Sequence, residues 1–226
     1  MRRSKTRQLS QSTPISERMV IRMIKTALIL SVIGHILCGI SDCLLSYSKS
    51  GRLDFRNIRD SGKMAEMFRD MPLSYPLVSM ILGTFSILMF GFGYFALSFW
   101  MKDYSVKAAN IMFVSAMVFL IPIVTHHVFC GVVEWVYIRL NRKDEVRLAV
   151  LEMQKKTIST MFAGYGGLFV FLVTLFVMVV FGQTNIPKWG CIFNTIIFML
   201  ALLPTKLPAK GNIAGTLMFL GLLFLL

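Results

Sequence analysis

Residues 125–135, THHVFCGVVEW, gather two histidines, a cysteine and a glutamate at the end of an apolar run. Imidazole, thiolate and carboxylate are the groups that move protons and ligate transition metals. Placed on a helix at about 100° per residue with His126 at zero, Tyr137 falls near 20°, Cys130 near 40°, Glu134 near 80° and His127 near 100°. One arc therefore carries all five. A second set, Ser31, His35, Cys38, Asp42 and Ser46, recurs at spacings of 4, 3, 4 and 4, again on one helix face. Two such stripes are expected to face each other across a shared interior, giving a candidate site of His35, Asp42, His126, His127, Cys130 and Glu134.

Of the 11 acidic residues only Asp42 and Glu134 lie inside apolar runs, whereas all three histidines do. An ionisable group in hydrocarbon costs about 2.5–3.5 kcal/mol on insertion scales, which drives it towards a bundle interior, a water-filled cavity or a partner. Three chemistries stay open. His126, His127 and Glu134 could ligate a metal, with His35 or Asp42 added from the other helix, although no HExxH or CxxC spacing is present. The same groups could handle protons in coupled transport or acid/base catalysis. They could also hydrogen-bond across helices as structural glue.

The elements that must position these residues are membrane-spanning helices. The chain is 56% hydrophobic, its apolar runs extend over about 16 to 30 residues, and a run near 20 crosses a bilayer. The expected fold is all-α, a polytopic transmembrane bundle of about six spans at 26–45, 77–100, 108–137, 158–181, 189–203 and 212–226. These form a single domain, 24–226, preceded by a basic disordered tail and helix start over 1–23, with the helix beginning near Ser16 and the first span retained. A short interfacial helix is expected at 60–71, and a helical extension or interfacial helix at 139–157. Pro122 should kink the third span beside the histidines. The last span, at about 22 Å, is shorter than the roughly 30 Å hydrocarbon thickness.

A net charge of +13 is carried by Lys and Arg in the tail and loops, where headgroup phosphates supply the counter-charge, so anionic lipid rather than nucleic acid is the expected partner. Arg18, Arg22 and Lys25, on one face of the first helix, are the expected headgroup contacts. The expected localisation is multi-pass in the cell membrane. The basic first segment favours a cytoplasmic N-terminus, while the charge totals on the two sides pull the other way. Cys38, Cys43, Cys130 and Cys191 all sit in apolar runs and read as packing thiols.

The elements GISDCLL (39–45), MILGTFSILMFGFGYFAL, HHVFCGVVEWVY, IPKWGCIFN and GNIAGTLMFLGLL together resemble an uncharacterised family of prokaryotic multi-span membrane proteins. That resemblance covers most of the chain beyond residue 25. It implies a similar bundle, marks Asp42 as a family-type position and supplies no activity. A second similarity is to small membrane-embedded sterol isomerases, which place His and Glu among aromatic residues in a lipid-accessible cavity. Here Cys130 and Gly131 precede Glu134 with the histidines upstream, and no catalytic role carries over. The expected function is an integral membrane protein with an intramembrane His/Asp/Glu site that transports or passes a small solute or protons. The alternatives are a membrane-embedded acid/base or metal-dependent enzyme acting on a lipid, and a membrane subunit or scaffold with a structural polar core. The sequence assigns no cofactor.

Overall fold

The structure is a computed structural model that describes residues 14–49, 51–54 and 57–226. Residues 1–13 of the expected tail lie outside the described residues. The fold is all-α: α1 (Pro14–Ser46), α2 (Ser61–Met67), α3 (Ser74–Trp100), α4 (Val106–Arg139), α5 (Asp144–Thr157), α6 (Ser159–Val180), α7 (Thr195–Leu202) and α8 (Lys210–Leu225), with a small hairpin of Tyr47–Ser48 and Gly51–Arg52 after α1. α1 is already helical at Pro14, so Ser16 lies within it rather than at its start.

Among the described residues four stretches are long and apolar enough to cross a membrane: Arg18–Ser46, Ser74–Asp103, Val106–Arg139 and Asp144–Val180. The fifth expected span takes a different form. Over 189–203 the chain makes a 3₁₀ turn, Lys188–Ile192, and then the eight-residue α7. Asn194 causes the break. Its Oδ1 accepts the Ile196 N–H at 3.0 Å and its Nδ2 donates to the Leu172 carbonyl at 3.0 Å, so it caps a helix rather than continuing one. Leu172 is eight residues, about 12 Å, short of the end of α6. α7 therefore begins inside the bundle. α8, at about 24 Å, is an apolar helix of 16 residues.

Small residues let the long helices touch backbone to backbone. A methyl on Gly34 of α1 would lie 2.6 Å from Phe90 N and 2.7 Å from Ser86 O of α3, and one on Gly167 of α6 would lie 2.6 Å from Phe119 N and 2.8 Å from Ser115 O of α4. Close approach of this kind drives helix association where no water is expelled. Ser31 Oγ adds an inter-helix bond, accepting the Gly93 N–H at 2.8 Å. On the far side of α1, Ile29, Ile33, Ile36 and Ile40 are exposed at spacings of 4, 3 and 4. The apolar ladder and the polar stripe thus occupy opposite faces. The main core between the helices is built on Leu28, Tyr94, Met112, Phe119, Phe171 and Phe219.

A second, smaller core of Leu53, Met64, Phe68, Met71, Tyr137 and Val150 caps one end of the bundle. The last turns of α4 reach into it, which explains why this helix exceeds the length a bilayer requires. α2 forms where the interfacial helix was expected, with Asp60 Oδ1 accepting the Lys63 N–H at 3.0 Å as its N-cap. Its apolar residues are used by the protein itself: Phe68 packs edge-to-face on Tyr137 at 5.5 Å. Arg142, at φ 58° just past the end of α4, donates from Nε and Nη2 to the Phe68 carbonyl at 3.0 and 2.8 Å. Charge-assisted bonds to a helix C-terminus are worth about 1.5–3 kcal/mol. Arg142→Ala should therefore release the cap locally: limited proteolysis should cut within 60–71 several-fold faster, while cleavage elsewhere is unchanged.

Candidate functional site

α1 brings His35, Ser41 and Asp42, α3 brings Ser79, α4 brings His127 and α8 brings Asn212 into one connected polar network. Asn212 Nδ2 donates to Asp42 Oδ2 at 2.7 Å. Its Oδ1 is then the acceptor that faces His35 Nδ1 at 3.0 Å, so the network assigns the His35 proton to Nδ1. The His35 ring lies flat on Phe90, 4.2 Å between centroids at an interplanar angle of 4°. Its Nε2 has no hydrogen-bond partner and faces Gly215, where a methyl would lie 2.6 Å away.

His127 Nδ1 faces the other Asp42 oxygen, Oδ1, at 3.6 Å. Its Nε2 lies 2.9 Å from Ser41 Oγ and 3.1 Å from the Ser79 carbonyl. Ser79 Oγ donates to the Ser41 carbonyl at 2.9 Å, and Ser41 Oγ lies 2.9 Å from the Ser79 carbonyl. The serine pair can satisfy either protonation state of His127. With a neutral ring protonated at Nδ1, Ser41 O–H donates to Nε2; with a charged ring, Nε2–H donates to the Ser79 carbonyl and Ser41 O–H turns to that same oxygen. One hydroxyl rotation separates the two arrangements. α3 accommodates the imidazole because residue 83 is glycine, and a methyl there would overlap the His127 ring.

Two cavities meet at this network. One, of about 300 Å³, lies beneath α2 and α5 and is bounded by Asp42, His127, Cys130, Glu134, Phe68 and Gln154. The other, of about 230 Å³, lies among His35, Cys38, Phe90, Tyr94, Tyr165 and Asn212, and again reaches Asp42 and His127. Ala209, which adopts φ 47° at the start of α8, also borders both.

Of the residues expected at the site, His35, Asp42 and His127 are joined through the network, and Cys130 and Glu134 line the larger cavity. His126 is not brought in: its Nε2 faces Cys130 Sγ at 3.5 Å along its own helix. Consecutive helical residues point about 100° apart, so the histidine pair divides between two environments. Among the described residues no group of three or more His, Cys, Asp or Glu side chains is placed to hold a metal ion. The expected ligand trio His126, His127 and Glu134 is therefore not assembled. Asn212, Ser41 and Ser79 were missed by sequence reasoning. The available signal was an asparagine inside the apolar run 212–226, since a buried amide needs a partner.

The sequence profile of a family of unknown function, DUF6796, matches residues 15–224. The chain belongs to DUF6796. The match runs from α1 through α8, so every residue of the network lies within the family's bounds, and the resemblance to an uncharacterised family holds. No curated protein and no solved structure matches this DUF6796 member. Its chemistry has to be read from its own geometry.

Proposed function

We propose that this DUF6796 protein is a multi-pass membrane protein that passes protons, alone or with a small solute, through the Asp42–His127 junction. One observation carries the proposal: the same carboxylate–imidazole pair borders both cavities. A titratable pair between two chambers can take a proton from one and release it to the other. The rotatable Ser41–Ser79 pair supports this, because it leaves His127 hydrogen-bonded in either state. In this reading Arg18 and Arg22, exposed on α1, and the half-buried Lys25 meet anionic headgroups at the cell membrane surface.

The order Ser41 Oγ, His127, Asp42 matches that of a nucleophilic relay, yet Ser41 is 0% exposed and no substrate carbonyl could reach it. Hydrolysis of a lipid is therefore not favoured. The test is proton flux into vesicles of phosphatidylcholine and phosphatidylglycerol containing the purified protein, read with an internal pH dye after a pH step. Wild type should dissipate the gradient faster than protein-free vesicles, and the near-isosteric Asp42→Asn should slow it at least tenfold. Equal rates for wild type and empty vesicles, or for wild type and Asp42→Asn, would overturn the proposal.

A further inference from the structure

We propose that the larger cavity binds a lipophilic amine, with Glu134 as its counter-ion. Glu134 is 6% exposed and lines the cavity, and its Oε2 has no hydrogen-bond partner. Asp42, on another wall, already has a protein group facing each oxygen, Asn212 at Oδ2 and His127 at Oδ1. Glu134 is thus the carboxylate left for a ligand. Among the described residues no Lys or Arg lines this space, and its basic side chain, His127, faces Asp42 rather than standing free. A buried carboxylate lacking a partner is costly, and an entering N–H donor with positive charge removes that cost.

The remaining walls define the rest of the ligand. Leu45, Ile58, Met64, Phe68, Val133 and Leu151 surround the acidic groups with apolar surface, and Gln154 offers an amide at the α5 side. A hydrated inorganic cation fits poorly against such walls and finds no trio of ligating side chains among the described residues. A primary or secondary amine attached to an aliphatic or aromatic body matches both parts, and about 300 Å³ is at the small end of organic-ligand pockets.

This deepens the proposed function by naming what shares the chamber with the proton, and it rests on that reading only for the role of the bound molecule. The experiment reads binding and no flux, so either claim can fail alone. The full chain in phosphatidylcholine nanodiscs, which offer no primary amine, is titrated with n-octylamine and with n-octanol, with empty nanodiscs as the reference. Octylamine should bind saturably and at least tenfold more tightly than octanol. Glu134→Gln should weaken octylamine at least tenfold while binding of octanol is unchanged. Leu151→Trp, which keeps the charge and fills the space from α5, should block both. If Glu134→Gln is unstable, Glu134→Asp and Leu151→Trp carry the test. Equal affinity for amine and alcohol, or octylamine binding that Glu134 and Leu151 substitutions leave unchanged, would overturn the proposal.

Discussion

Gly83→Ala should cost this protein about 3 kcal/mol, more than most single-methyl changes, because the added methyl overlaps the His127 ring rather than a flexible side chain. Overpacking alone costs about 1–3 kcal/mol. Moving the imidazole also loses its bonds to Ser41 and Ser79, at about 0.5–1.5 kcal/mol each. Those serines are buried and have no water to fall back on. Reversible unfolding in mixed detergent micelles measures the loss. The decisive control is the double variant Gly83→Ala/His127→Ala. With the ring removed the methyl has room, so the two substitutions should be strongly non-additive, with much of the Gly83→Ala loss recovered. Additive losses would mean that Gly83 and His127 do not share that space.

Asn212→Leu should produce the second large effect. The amide bridges His35 and Asp42, and leucine leaves a buried N–H and a carboxylate oxygen without their partner. Orphaning a buried polar group costs about 1–3 kcal/mol, whereas intact inter-helix bonds in membrane proteins average about 0.6 kcal/mol. The orphaning cost dominates, and a loss of about 2 kcal/mol is expected. Asn110→Leu, on an exposed position of α4, is the matched control and should be close to neutral. A thermal midpoint unchanged by Asn212→Leu would mean that α8 is held by apolar packing alone.

The stripe on α1 was legible because that helix is regular and its partner faces are simple: spacings of 4, 3 and 4 hold for Ser31, His35, Cys38 and Asp42 without interruption. On α4 the same reasoning grouped too much. An arc of about 100° is wider than one contact face, so His126 and His127 part company although both lie in it. The satellite core was half legible. Its helices were expected from charge and Met/Phe spacing, but not that Phe68 and Tyr137 would bury each other, since a pairing across 69 positions leaves no local trace. The long apolar runs read directly as helices, whereas 189–203 did not, because hydropathy is blind to the tertiary bond from Asn194 to the Leu172 carbonyl that starts α7 inside the bundle.

Asn212 also ties the site to the order of synthesis. α1, α3 and α4 emerge from the ribosome long before α8, so for most of translation His35 and Asp42 stand side by side without the amide that joins them. Until α8 docks and seats Gly215 against the His35 ring, the nascent bundle carries an unsated polar stripe. Docking of α8 is thus the step that completes the hydrogen bonding of a stripe laid down by the first helix.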